Sequence, residues 1–152
     1  MSGYLFPGGV DKVVRNWTGD TFEWVLLAAT WTPNPTFEEW VADVAPGNEL
    51  TDASYSRQAL TGAVVNITLP TLPDGTGGGL AYDCDDPAFG VLSGAEVAAW
   101  LVLYRLVTTD ADSELVAAFP CAYTADGVTA ATFVLPALGP VSVALACPSG
   151  FY

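Results

Sequence analysis

A chain of 152 residues with 51% hydrophobic residues is one domain in size and has ample material for a core of its own. Against 17 acidic residues stand 4 basic ones, a net charge of −13. Lys12, Arg15, Arg57 and Arg105 cannot build a basic patch, which excludes nucleic-acid binding by phosphate neutralisation and disfavours anionic membranes. With no histidine, the commonest general base and metal ligand is also gone.

The chain divides into an N-terminal arm (1–9), one β-rich domain (10–147) and a short tail (148–152). In the arm, Tyr4, Leu5 and Phe6 are apolar and exposed unless something covers them. Pro7-Gly8-Gly9 reads as a hinge that gives them reach, so the arm is expected to contact a neighbouring chain. From Asp11 a short helix follows, with Val10, Val13, Val14 and Trp17 at i, i+3, i+4, i+7. Phe22 to Ala29 is then a strand that stays apolar on both faces after Glu23, the pattern of a central strand covered on both sides.

Thr32-Pro33-Asn34-Pro35 stops that strand. Trp31, beside this turn, is expected to be exposed and to serve with Tyr4, Leu5 and Phe6 as a contact residue. A second helix is expected from Thr36, with Glu39 completing a capping box and Phe37, Trp40, Val41 and Val44 forming one apolar stripe. Strands are expected at Tyr55 to Leu60, Ala63 to Leu69 and Leu80 to Cys84, with a long loop over Pro70 to Gly79. Glu96 to Val107 is the longest apolar strand. The polar loop Thr108 to Ser113 turns it into an antiparallel partner, Glu114 to Tyr123. A last pair, Thr129 to Leu135 and Val141 to Ala146, flanks Pro136 to Pro140. The series amounts to a mainly β fold, an antiparallel sandwich or barrel of about eight or nine short strands with two short helices.

Chemistry is sparse. Asp83, Asp85 and Asp86, and again Asp110, Asp112 and Glu114, could offer oxygens to Ca²⁺. The second group lacks the glycine and final glutamate of an EF-hand loop, and both groups read as solvated turn carboxylates. Glu23, Glu38, Glu39 and Glu96 are the carboxylates nearest apolar surroundings, but Glu38 and Glu39 point apart on a helix and make no glycosidase pair. The sequence holds no GxSxG motif, and Gly77-Gly78-Gly79 is not followed by the Lys-Ser/Thr of a P-loop. Cys84, Cys121 and Cys147 lie far apart and read as buried free thiols, or as one disulfide and one thiol. Trp24 and Trp100 are expected to be core anchors. No enzyme activity, metal or cofactor is expected. Without a signal peptide or a membrane-spanning run, synthesis in a cytoplasm is expected.

The ordered series FEWVLLAATWTPNP, FEEWVADV, SYSRQALTGAVVNI, YDCDDPAF, LSGAEVAAWLVLYR and SELVAAFPCA, over about residues 10–146, resembles a family of small virion structural proteins of tailed bacteriophages, the minor capsid or capsid decoration proteins. The chain departs from that pattern in its single lysine, its longer Pro70–Gly79 loop and its PALGP turn. The resemblance implies a non-enzymatic protein on the capsid exterior that cements neighbouring major capsid subunits. Its implied partners are the major capsid protein and further copies of itself, with a homotrimer expected. The alternative is a carbohydrate-binding β-sandwich on the virion for host attachment, which requires exposed, coplanar tryptophans.

Overall fold

The computed structural model describes residues 4–68, 79–85, 87, 89, 91–92, 97–124 and 131–132. The fold is mainly β, with a five-stranded antiparallel open sheet and two short helices. The sheet comprises β1 (Tyr4–Leu5), β2 (Phe22–Ala28), β3 (Gln58–Ala59), β7 (Val97–Arg105) and β8 (Glu114–Thr124), in the order β1-β8-β7-β2-β3. Two separate ladders pair β4 (Val64–Thr68) with β5 (Gly79–Asp83) and β6 (Val91–Leu92) with β9 (Ala131–Thr132). The expected hairpin around Pro136 to Pro140, Cys147 and the tail lie outside the described residues.

The double-sided apolar pattern of β2 has a direct structural cause. Phe22, Trp24 and Leu26 face one core with Leu101, Leu103, Val116 and Ala117. Val25 and Leu27 face a second with Val102, Tyr104, Leu115 and Ala118. The first core is closed by Trp17, Leu50 and Phe89, the second by Trp31, Val41, Val44 and Ala45. The outer edge of β2 is finished by the chain that follows it. Ala28 N–H donates to Asn48 O, Leu50 N–H to Leu26 O and Leu60 N–H to Phe22 O, while Leu26 N–H donates to the Tyr55 hydroxyl. The strand expected at Tyr55 to Leu60 therefore shrinks to β3, because Tyr55 contributes a side chain to the edge where a strand would contribute backbone.

The long hairpin β7–β8 agrees with the reading of the sequence, pairing Arg105 with Glu114 at its closed end and running to Val97 and Thr124. The two helices do not match their expected limits. Helix α1 spans Pro7–Asn16, so Pro7-Gly8-Gly9 is the first helical turn and not a hinge. Proline suits that first position because its missing N–H would have no intrahelical partner there. Helix α2 is only Val41–Val44. Glu39 and Trp40 are diverted to the sheet: Leu115 N–H donates to Glu39 O, and Trp40 bridges Glu114. The Thr36–Glu39 capping box is thus replaced. Asp43 Oδ2 accepts the N–H groups of Glu39 and Trp40 at 3.0 and 2.9 Å, and Ser113 O and Asp110 O accept those of Val41 and Ala42.

Candidate functional site: exposed apolar residues and a groove on an acidic chain

From Tyr4 onward the N-terminal residues do not form a free arm. Tyr4 and Leu5 pair with Ala118 and Ala117 of β8, and Phe6 N–H donates to Val116 O at 2.9 Å. The strand alternation puts Phe6 into the second core, where it is 1% exposed. Tyr4 packs its ring edge-on to Trp100 at 5.6 Å and stays 39% exposed, and Leu5 is 42% exposed.

Trp31 also differs from expectation: it is buried, at 6% exposure. Its indole N–H donates to Glu38 Oε1 at 2.9 Å, and its carbonyl accepts the Trp100 indole N–H at 3.1 Å. The Pro-rich turn wraps this indole instead of presenting it. Of the four contact residues read from the sequence, Tyr4 and Leu5 are at the surface, and Phe6 and Trp31 are core.

A surface residue that the sequence reading placed in the core takes their place. Phe37 is 83% exposed, the most exposed large hydrophobic side chain among the described residues. It borders a groove of about 250 Å³ lined by Phe6, Pro7, Gly8, Pro35, Thr36, Glu38, Glu39 and Leu115. Tyr4 and Leu5 are not among the residues that line it. The groove wall is tied by Glu38, whose second oxygen accepts Asn34 N–H at 2.7 Å. The misplacement of Phe37 follows from the lost helix turn: an i, i+3 stripe exists only where the helix does.

The cations are all spent internally. Arg57 holds Glu49 at 2.6 Å and Asp110 at 2.6 Å, Arg105 holds Asp20 at 2.5 Å, Lys12 meets Glu114 at 3.7 Å, and Arg15 pairs with Asp11 one helical turn away. Arg57 is the centre of the densest set. Its guanidinium donates to both carboxylates, lies over the Tyr104 ring at 5.5 Å and reaches the Tyr104 hydroxyl, which in turn donates to Glu23. Hydrogen bonds to Glu49 and Asp110 push the Arg57 pKa further up, and those from Arg57 hold Asp110 below its ordinary carboxylate value. Burial raises both Tyr104 and Tyr55, so the phenols stay protonated. This set is a cross-link between the 49–57 segment and the 108–113 loop. Its guanidinium is locked in charge-assisted hydrogen bonds that hold the two segments together.

The remaining candidates are dispersed. Asp110 is bound to Arg57, Asp112 accepts the Thr109 hydroxyl, and Glu114 faces Lys12 and Arg105. No cluster of three metal-ligating side chains occurs among the described residues. Cys84 and Cys121 are half-buried, and burial pushes the Cys121 thiol up to about 12. Trp24 is fully buried, Trp17 and Trp31 are buried, and Trp40 and Trp100 are half-buried; none of the five is exposed. Trp31 and Trp100 meet at 81° rather than coplanar. Among the described residues no helix is long and apolar enough to cross a membrane. Comparison with protein-family models, curated proteins and solved structures finds no match.

Proposed function

We propose that this chain is a non-enzymatic virion structural protein of a tailed bacteriophage. It binds the outside of the capsid shell and cements neighbouring major capsid subunits, as a homotrimer at local three-fold positions. The observation that carries this reading is the set of large apolar side chains left at the surface, Phe37 above all with Tyr4 and Leu5, on a chain of net charge −13 whose four cations are all paired. Exposed apolar surface of this kind belongs to proteins held against a partner. The acidic balance rejects nucleic acid, and it keeps particles that display many copies apart in solution. The ordered series of segments that resembles minor capsid and decoration proteins supplies the identity of the partner.

In this reading the two small ladders fold over the five-stranded sheet to complete a sandwich. Each copy contributes modest contacts, and a closed shell linking many of them resists the outward pressure of packaged DNA through multivalency. The test is co-sedimentation of the purified protein with shells of the phage that encodes it, followed by cryo-EM of the pellet. Saturable binding with density at three-fold positions on the outer surface is expected. Absence of the protein from both purified virions and pelleted shells would overturn the reading.

A further inference from the structure

We infer that residues 51–60 are a strap over the outer edge of β2 that opens and closes as a unit, latched shut by the hydrogen-bonded ion pair of Arg57 and Asp110.

The strap is lightly attached to a deeply buried strand. Phe22, Trp24, Val25, Leu26 and Leu27 of β2 are buried, whereas none of residues 51–60 is. Its apolar hold is two half-buried side chains, Tyr55 and Leu60, packed on the first core. Its backbone hold is short: β3 pairs only Gln58 with Trp24 and Ala59 with Glu23, and Leu60 N–H donates to Phe22 O. Few buried apolar contacts and an exposed backbone mark segments that open locally, at a free energy below that of global unfolding. The flanks, by contrast, are fixed. Leu50 is buried in the first core, and Thr61 O accepts Asp85 N–H. Between them the segment carries its own turn, since the Asp52 carbonyl accepts Tyr55 N–H and the Asp52 carboxylate accepts Ser54 N–H. The segment therefore moves as one piece.

Arg57 supplies what the apolar contacts do not. Its guanidinium makes two hydrogen bonds to Glu49, beside the fixed start of the strap, two to Asp110 at 2.6 and 2.8 Å, and one to the Tyr104 hydroxyl. The bonds to Glu49 are local. Those to Asp110 reach the 108–113 loop, which is anchored separately: its Asp110 and Ser113 carbonyls accept the N–H groups of Ala42 and Val41. The Arg57–Asp110 pair thus ties the strap to a part of the fold that does not move with it. A bidentate pair of this kind is among the strong hydrogen bonds, so losing the Asp110 charge shifts the strap toward its open state. Closed, the strap covers the outer N–H and C=O groups of β2, an apolar strand whose bare edge is a template for pairing with other chains.

The strand β2 carries its own control. Leu26 N–H points outward to the Tyr55 hydroxyl, and strand alternation turns the N–H groups of Val25 and Leu27 inward to β7. The experiment is amide hydrogen exchange of the full chain at neutral pH, read residue by residue by NMR. In the native chain, Leu26 and Leu60 should exchange faster than Val25 and Leu27. Urea should accelerate them less, because a local opening exposes less surface than unfolding does. Asp110→Asn, which keeps the shape and removes the charge, should speed Leu26 and Leu60 about tenfold or more and change Val25 and Leu27 far less. If all four amides of the native chain exchange at one rate with one urea dependence, there is no strap, and that result does not depend on any variant folding. If the native chain shows the two classes but Asp110→Asn speeds both equally, or neither, the ion pair is not the latch and the inference fails.

Discussion

Two adjacent glycines in the first turn of α1 should respond to the same substitution with opposite signs. A Cβ added at Gly9 would stand 2.0 Å from the carbonyl oxygen of Leu115 and 2.7 Å from the Cα of Val116, both backbone atoms of β8. Ordinary contact begins near 3.4 Å, so the helix would have to retreat by about 1.4 Å, and it would take the packing of Phe6 with it. Overpacking of this kind costs about 1–3 kcal/mol, and sometimes more. The loss of unfolded-state freedom on replacing glycine offsets only about 0.4–1 kcal/mol. Gly9→Ala should therefore destabilise the fold by about 1–2 kcal/mol net. At Gly8 the same methyl group meets only the end of the Glu39 side chain at 3.5 Å, an ordinary contact. Gly8→Ala should stabilise by about 0.4–1 kcal/mol. Urea denaturation followed by tryptophan fluorescence reads both values directly, provided the m-values agree with that of the native chain. Equal stabilisation by the two substitutions would show that α1 does not lie against β8 as described, and the account of the N-terminus would fail with it.

Deleting residues 1–5 should leave a cooperatively folded domain of somewhat lower stability, because only the half-exposed β1 is lost; deleting 1–9 should unfold much of the protein, because it removes Phe6 from the core at about the 3–5 kcal/mol of a large aromatic truncation. Near-UV circular dichroism separates the two outcomes. Trp24→Ala should cost about 3–5 kcal/mol and the half-buried Trp100→Ala less, as measured by chemical denaturation. Asp110 is held below its unfolded carboxylate value by Arg57, so its contribution to stability is present above that unfolded value and fades as pH falls through the depressed folded one. Arg57→Met should remove this acid-side decline while lowering stability at neutral pH, and a thermal-melt series against pH that kept the native slope would refute the assignment.

The β-sheet was legible in the sequence because its signal is local. The apolar run of β2 and the long β7–β8 hairpin with its TTDADS loop each carry their period and turn chemistry within a dozen residues or so. The errors lie where a distant partner decides. Glu39 and Trp40 carry a helical pattern, but Leu115 N–H and Glu114 draw them into a bridge some 75 residues away in sequence, and the helix loses the turn that would have buried Phe37. Pro7-Gly8-Gly9 looks like a hinge by composition, yet Gly9 is what lets the helix lie close against β8. Trp31 beside two prolines looks exposed, and only the reach of Glu38 back across the turn, with Trp100 on the other side, reveals it as core. For the candidate site, Tyr4 and Leu5 were legible as apolar residues near a chain end. The groove was not, since it exists only between two segments about thirty residues apart that no local pattern links.

The distribution of charge ties the fold to the proposed role. Each arginine outside α1 joins segments distant in sequence: Arg57 joins the 49–57 segment to the 108–113 loop, and Arg105 joins Asp20 to Glu114 across the sheet. Lys12 fastens α1 to the start of β8 through the same glutamate. The basic residues thus act as internal cross-links, and with 17 carboxylates against 4 cations the surface is left to the acids. Copies of such a chain repel one another in solution over about a Debye length, roughly 8–10 Å at physiological salt. The same repulsion disfavours a soluble trimer held only by the small apolar edge of Tyr4 and Leu5. A shell changes the balance, because its lattice holds copies side by side whatever their mutual repulsion. Under the proposed function, assembly on the shell rather than before it follows from the charge. The apolar edge then adds copy-to-copy contact only where the lattice has already brought neighbours together.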